Sequence, residues 1–169
     1  MTLVSNYILG IDPGLERTGY AVIDASARRV IDAGLVRTER ACGLPRRLAD
    51  IHAGLAEVLD EHTVSLMAVE DLYAHYKHPR TAILMGHARG VVLLLAAQRG
   101  IAVRSLPATL IKKTMTGSGR ASKQQIQRAM MATLGLKQMP EPPDVADAMA
   151  IGLSAALAMR EAPTLVISA

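Results

Sequence analysis

Four carboxylates occupy positions from which they could bind divalent cations together. Asp12 ends a short apolar run just before a Pro-Gly turn, and Glu70 ends a second apolar run. Asp144 and Asp147 are three residues apart at the start of a helical pattern, so they share one helix face. Oxygen ligands of this kind favour Mg²⁺ or Mn²⁺ over zinc. Two such ions about 4 Å apart can activate a water molecule and stabilise a leaving oxygen, which predicts phosphodiester hydrolysis.

Each of these acids, taken alone, also has an ordinary structural explanation. Asp12 could form a turn, Glu70 could be a surface acid and Asp144 could cap a helix. Asp147 is different, because apolar residues surround it in the sequence and a buried carboxylate needs a partner.

The distribution of charge predicts a surface that binds a polyanion. The net charge is only +4, yet residues 72–140 contain no Asp or Glu. The remaining residues carry an excess of acidic side chains, so the two signs are segregated along the chain. This pattern is typical of a protein that binds nucleic acid beside an acidic site, although a solvated basic face with no partner would look the same.

Length and composition predict a single globular domain over residues 1–169. Half of the 169 residues are apolar, which is enough for a sizeable core. The single cysteine, Cys42, excludes an intrachain disulfide and argues against a zinc finger. The longest apolar stretch, 91–97, is far shorter than the roughly 18 residues of a membrane span, and residues 1–6 lack the pattern of a signal peptide. We therefore expect a cytoplasmic protein with no membrane partner.

The periodicity of the chain predicts a mixed α/β sheet with covering helices. An antiparallel meander of three strands comes first, followed by a helix and by further strands that alternate with helices. The predicted strands are 7–12, 18–24, 29–38, 65–70 and 101–105, and the predicted helices are 44–61, 80–98, 108–115, 122–134 and 144–159. Ser122 and Asp144 are the predicted caps of the last two helices.

Five ordered segments, which together span a domain core at about residues 7–158, resemble the RuvC family of Holliday-junction resolvases. They are ILGIDPGLERTGYAVID, AVEDLY, MGHARGVVLLLAAQRGI, IKKTMTGSGRASKQQIQ and PPDVADAMAIGLSAAL. The resemblance implies a ribonuclease H-like fold, which is a mixed five-stranded sheet of three antiparallel strands and then parallel strands, flanked by helices. It also implies a homodimer that cuts four-way junction DNA by metal-dependent, symmetrical nicks, and partnership with the RuvA and RuvB branch-migration proteins.

The same resemblance implies roles for individual residues. Asp12, Glu70, Asp144 and Asp147 match the catalytic acids, which would hold two Mg²⁺ or Mn²⁺ ions per active site. Lys112 and Lys123 match basic catalytic positions near the scissile strand. The DNA-binding positions are Tyr73, Lys77, Arg80, Lys112, Lys113, Arg120 and Lys123.

Two further features of the resemblance concern the junction and the dimer. Tyr73 stands where many members have a Phe that enters the junction centre, and a phenol can also stack on a base. The helix that carries Gly86 and Gly90 matches the dimer-forming helix, although small residues at this spacing could equally pack against the protein's own sheet.

Three alternatives differ in class. The IDPG turn also resembles the first motif of actin-like kinases and ATPases, but those enzymes need two such domains. A non-catalytic junction-binding module would be expected to lack at least one acid, and all four are present. A YqgF-type relative that acts on another nucleic acid remains as the main alternative.

Overall fold

The computed structural model describes residues 6–72 and 79–161, which form five strands and five helices. Tyr73 and Lys77, two of the predicted DNA-binding residues, lie outside the described residues. The strands are β1 (Tyr7–Asp12), β2 (Arg17–Asp24), β3 (Arg29–Arg37), β4 (Leu66–Glu70) and β5 (Ala102–Leu106). The helices are α1 (Leu44–Glu61), α2 (Pro79–Gln98), α3 (Ala108–Thr116), α4 (Lys123–Leu134) and α5 (Pro143–Glu161).

The strands form one mixed sheet in the order β3-β2-β1-β4-β5. Strands β1, β2 and β3 are antiparallel neighbours, whereas β4 runs parallel to both β1 and β5. The predicted sheet of three antiparallel strands followed by parallel strands is confirmed. Because β1 and β4 are parallel neighbours, their carboxyl ends meet at the same edge of the sheet.

Alternate residues of the strands pack into two separate cores, one on each face of the sheet. Ile8, Ala68 and Leu106 belong to the core beneath α3, α4 and α5. Leu9 and Met67 belong to the core beneath α1 and α2. The face of each side chain follows from the two-residue period of a strand. Aliphatic residues and methionines fill both cores, as expected for a chain without Phe or Trp.

Local sequence signals explain where most of the helices begin. Helix α1 has a proline in its first turn, where the missing N–H has no cost. Ser122 caps α4 as predicted, and it forms a reciprocal capping box with Gln125. The predicted cap at Asp144 is wrong. Helix α5 already begins at Pro143, so Asp144 lies in its first turn and its carboxylate is not used as a cap.

Helix α2 has two different faces. Ala88, Val92 and Leu95 are buried in the core, whereas Ile83 and Leu94 are 61% and 54% exposed. By length and composition alone, residues 80–98 could cross a membrane, and 22% of this segment is buried. One such helix is weak evidence for a span, and packing of α2 on the sheet explains the apolar residues of its buried face.

Helix α5 lies unusually close to strands β1 and β2 because glycines face it. A Cβ at Gly10 would overlap the carbonyl oxygen of Ala148, and a Cβ at Gly19 would overlap that of Asp144. Gly152 in α5 faces Gly10 across this contact. The glycines thus let the helix backbone approach the sheet more closely than side chains would allow.

Replacement of Gly10 by alanine should test this close approach. The added methyl group meets backbone atoms of α5, which cannot rotate away, so we expect Gly10→Ala to lower the free energy of unfolding by about 3 kcal/mol. Urea denaturation measures the change. Gly119→Ala is the control, since its Cβ would make only an ordinary 3.5 Å contact with a backbone oxygen. Equal stability of the two variants would show that α5 does not depend on Gly10.

Candidate active site

Asp12 and Glu70 lie side by side where β1 and β4 end. Ile11 of β1 pairs with Val69 of β4, so each carboxylate comes one residue after this pair. Asp12 follows Gly10 by two residues and Glu70 follows Ala68 by two, so both acids are on the α5 face of the sheet. The sequence prediction that strand ends bring these two acids together is confirmed.

Asp71 shows the opposite orientation. Its backbone N–H donates to the carbonyl oxygen of Leu106, and its carboxylate accepts from Nη2 of Arg89 on α2 at 3.3 Å. Arg89 also donates to the hydroxyl of Ser105 at 2.6 Å. Asp71 is therefore a structural acid on the other face, as its position next to Glu70 predicts.

Helix α5 completes the acidic cluster from its first two turns. A Cβ at Gly19 would lie 3.3 Å from the Cβ of Asp144, and Gly19 pairs with Asp12. Asp147 lines a cavity together with Glu70, and the negative charges of both helix aspartates act on the Asp12 carboxylate. The close packing of α5 over Gly10 and Gly19 sets this position. Since the two aspartates are three residues apart, they occupy the same side of the helix as predicted.

Burial and like charge raise the pKa values of two acids in this cluster. Burial, followed by the negative charges of Asp147, Asp144 and Glu70, raises the pKa of Asp12 to about 7. Burial and the negative charge of Asp147 also raise the pKa of Glu70, against the positive charges of Lys112 and Lys123. The carboxylates therefore repel one another and favour either protons or cations.

Two lysines border the cluster on the side of α3 and α4. Nζ of Lys123 lies 2.9 Å from Oδ2 of Asp147, which provides the partner that this aspartate was expected to need. The hydrogen bond that Lys123 donates to Asp147 is the main cause of a raised pKa of Lys123, so the ammonium stays charged. Lys112, Lys123, Glu70 and Asp147 line one open cavity of about 300 Å³. The structure thus brings together both predicted catalytic lysines.

The other predicted basic residues in the described parts of the chain do not line this cavity. Lys113 is exposed next to Lys112 on α3, Arg120 is exposed between α3 and α4, and Arg80 is exposed at the start of α2. Their positions leave them accessible to a large ligand that extends beyond the cavity.

One charged residue at the site was not predicted from the sequence. Nε of Arg17, the first residue of β2, lies 3.3 Å from Oδ2 of Asp144. The antiparallel pairing of β2 with β1 brings its start near Asp12, since Asp12 pairs with Gly19. The sequence does show an arginine shortly after the Pro-Gly turn, in the segment LERTG. Only the packing of α5 shows that this arginine lies beside Asp144.

The donor set fits divalent cations. All four acids offer oxygen atoms. Oδ2 of Asp144 is buried and accepts no hydrogen bond among the described residues, although it forms the 3.3 Å ion pair with Arg17. A divalent cation would coordinate this oxygen directly. Oxygen ligands suit Mg²⁺ or Mn²⁺.

A second group of possible ligands lies elsewhere in the fold. Asp32 of β3 and the pair Glu61 and His62 at the end of α1 place their ligand atoms within 4.8 Å of one another. Nε2 of His62 is 3.4 Å from Oδ2 of Asp32. This group is separate from the four acids, because β3 is the edge strand of the sheet farthest from β4 and β5.

The mixed sheet, with carboxylates where β1 and β4 end and where α5 begins, defines a ribonuclease H-like protein with an acidic site. Comparison with known proteins gives the family. The family described as crossover junction endodeoxyribonuclease RuvC matches residues 8–155, so this chain belongs to the RuvC family.

Individual relatives agree with this assignment. RuvC from Rhodopirellula baltica is 56% identical over 148 residues, which cover 86% of this chain and 83% of the relative. RuvC from Moorella thermoacetica is 42% identical over 148 residues, 86% of this chain and 88% of the relative. The structure of T. thermophilus RuvC in complex with Holliday junction substrate matches with a TM-score of 0.85 at 32% identity, covering 92% of this chain and 95% of that chain.

The raised pKa of Asp12 predicts how stability depends on pH in the absence of divalent ions. The folded protein keeps this carboxyl protonated up to a pKa of about 7, whereas the unfolded chain releases the proton near 3.8. Because the folded state binds more protons in this range, the free energy of unfolding should fall as the pH rises from 4 to 7. Asp12→Asn should remove most of this dependence, leaving the part due to the raised pKa of Glu70, and should be more stable at pH 8 by on the order of 2–4 kcal/mol.

Chemical denaturation in EDTA between pH 5 and 8 measures this effect. Asp50→Asn is the control, because Asp50 is on α1 and forms a surface pair with Arg46. The control should keep the pH dependence of the natural protein. The same dependence in Asp12→Asn would contradict the assignment of the raised pKa to Asp12.

Proposed function

We propose that this protein is a metal-dependent endonuclease that resolves Holliday junctions during homologous recombination and DNA repair. It would make symmetrical paired nicks in strands of like polarity. The observation that carries the proposal is the convergence of Asp12, Glu70, Asp144 and Asp147 in a chain that belongs to the RuvC family over most of its length.

The four acids would hold two divalent ions per active site, with Mg²⁺ or Mn²⁺ as the expected metals. When bound, such ions supply Lewis acidity toward a phosphodiester and make water a better nucleophile. We assign Asp12 to both ions on the strength of the family resemblance, and the charges of the other three acids all act on its carboxylate. Their mutual repulsion disfavours the cluster without cations and so favours metal binding.

The two lysines would act on the phosphate rather than on the metal. Lys112 and Lys123 line the same cavity as Glu70 and Asp147 and provide positive charge next to these acids. A cation fixed close to a developing negative charge stabilises it in the transition state. The hydrogen bond to Asp147 holds Lys123 in place for this role.

Residues outside the cavity would bind the arms of the junction. Arg80, Lys113 and Arg120 are exposed, and they belong to the segment 72–140 that contains no acid. Contacts of this kind to phosphates give affinity without sequence preference. We assign Lys77 to the same surface and Tyr73 to the junction centre on the strength of the family resemblance.

Helix α2 supports a homodimer. Ile83, His87, Gly90 and Leu94 are all exposed, and their spacing of four, three and four residues places them on one side of the helix. A Cβ at Gly90 would meet no atom within 4 Å, so this side is open. A second copy of the chain that packs here would bury the apolar residues, and two-fold symmetry would present two equivalent sites to a nearly symmetric junction.

The wider setting is inferred from the family. RuvA and RuvB are the expected branch-migration partners, and the cytoplasm is the expected location. A YqgF-type activity and a non-catalytic junction-binding module remain the alternatives that the first experiment distinguishes.

The first experiment compares three substrates with the purified protein. A synthetic four-way junction, a linear duplex of the same sequence and an RNA–DNA hybrid are incubated with Mg²⁺, Mn²⁺ or EDTA. Paired nicks in the junction alone, abolished by EDTA, support the proposal. Junction binding without cleavage in either metal would support a binding module, and cleavage of the hybrid would support a different activity on the same fold.

Asp147→Asn should abolish junction cleavage while binding stays intact or becomes stronger. The substitution removes a ligand charge next to bound phosphate, and the amide keeps the shape of the side chain. Asp71→Asn is the matched control, because Asp71 pairs with Arg89 on the other face of the sheet. This control should retain cleavage. Gel-shift and cleavage assays on one junction measure both properties, and active Asp147→Asn would contradict the catalytic assignment.

Leu94→Glu should convert the dimer to monomer, because it replaces one of the two large exposed apolar residues of α2 by a charge that the interface would have to bury. Sedimentation velocity measures the mass, and the two nicks in one junction should become uncoupled. Met159→Glu is the control, since Met159 is 50% exposed on α5. A Leu94→Glu variant that remains dimeric would place the interface elsewhere.

A further inference from the structure

A groove lies beside the acidic cluster on the side away from Lys112 and Lys123. It runs between the β1–β2 turn and the first half of α2 and has a volume of about 530 Å³. We call it the arginine groove. It is lined by Gly14, Leu15, Glu16, Arg17, Arg40, Arg47, Thr81, Leu84, Met85 and Asp144. Since Asp144 also belongs to the acidic cluster, the groove and the proposed active site are continuous.

The groove carries a net positive charge. Three arginines face two acids, and Nε and Nη2 of Arg40 lie 2.8 and 2.6 Å from Oε2 of Glu16. Arg17 lies beside Asp144, so Arg47 is the arginine without an acidic partner among the residues that line the groove. The ion pair with Asp144 is made by Nε of Arg17, and the guanidinium has further N–H donors for another anion whether or not a cation is bound.

A hydrogen-bonded support holds Arg47 in place. Its Nε donates to Oγ1 of Thr38 at 2.8 Å, and this hydroxyl donates to the carbonyl oxygen of Leu15 at 2.6 Å. The backbone N–H of Thr38 donates to the carbonyl oxygen of Glu16. Thr38 is 8% exposed, so this link between β3 and the β1–β2 turn is shielded from water. The Nη groups of Arg47 remain as donors for an oxyanion.

We propose that the arginine groove binds a backbone phosphate of the DNA strand being cut, adjacent to the phosphate at the acidic cluster. Resting on the proposed function, this assignment gives Arg17 and Arg47 direct roles in substrate binding. A strand that passes over the acids must leave the site on both sides, and each nucleotide brings another phosphate. Lys112 and Lys123 serve one side, and the arginine groove serves the other. Leu84 and Met85 provide an apolar wall against which a sugar can pack.

The dependence of junction binding on salt tests the proposal in EDTA, where cleavage does not interfere. Each phosphate contact contributes about one unit to the slope of log Kd against log salt. We expect Arg17→Gln and Arg47→Gln each to weaken binding several-fold and to reduce the slope by about one. Arg29→Gln is the control, because it removes the same charge at an exposed position at the opposite end of β2 and β3. Arg17 and Arg47 variants that behave like this control would overturn the proposal.

A second comparison separates phosphate binding from simple neutralisation of Asp144. Arg17→Gln is measured again in an Asp144→Asn background, where the carboxylate charge is gone. If Arg17 contacts a phosphate, the slope falls in both backgrounds; if it only neutralises Asp144, the loss disappears in the second. Arg47→Lys keeps the charge and should retain most of the slope, and thermal melting confirms that each variant is folded.

Failure of phosphate binding in the arginine groove and failure of the proposed function would give different results. Loss of affinity in the Arg17 and Arg47 variants for any DNA, with no preference of the natural protein for junctions, would support the groove and contradict the junction substrate. Normal junction cleavage by the natural protein together with control-like variants would contradict the groove alone.

Discussion

The close approach of α5 to strands β1 and β2 is the contact on which the site depends. It needs Gly10 and Gly19 on the strands and Gly152 on the helix, because a Cβ at any of them would meet backbone or core atoms. The contact places two aspartates of the first helical turns beside the ends of β1 and β4. A larger residue on either strand would move these aspartates away from Asp12, so the packing of small residues is part of the chemistry.

The acidic cluster lowers the free energy of unfolding of the fold that carries it, because its carboxylates are buried and repel one another. Four carboxylates lie together where burial and like charge raise the pKa of Asp12 to about 7. Positively charged side chains border the cluster on two sides. Lys112 and Lys123 lie beside Glu70 and Asp147, and Arg17 lies beside Asp144. The positive charge of Lys123 opposes the repulsion, yet the pKa of Asp12 stays raised, so the four acids would gain from bound cations.

Much of the fold could be predicted from the sequence because the local signals are consistent. The alternation of apolar residues predicted the ends of the strands to within one or two residues. The helical pattern predicted α1 from Leu44 to Glu61, as observed. The error at Asp144 has a local cause. Pro143 is a favourable first residue of a helix, and it moves the start one position earlier than an acidic cap would.

The parts of the site that could not be predicted depend on long-range packing. Arg17 is one of many arginines in the sequence, and its proximity to Asp144 arises only when α5 packs over Gly19. Likewise, Gly86 and Gly90 are four residues apart on one side of α2. A Cβ at Gly86 would contact Leu72, whereas a Cβ at Gly90 would contact none of the described residues. Sequence spacing alone cannot separate a glycine that packs within the chain from one that is available to a second chain.

Anomalous scattering from crystals of the protein soaked in Mn²⁺ would show directly whether the four carboxylates bind metal. We expect strong peaks enclosed by Asp12, Glu70, Asp144 and Asp147. Mn²⁺ bound only by Asp32, Glu61 and His62, or absent from the four acids at saturating concentration, would contradict the claim that these carboxylates form the metal centre.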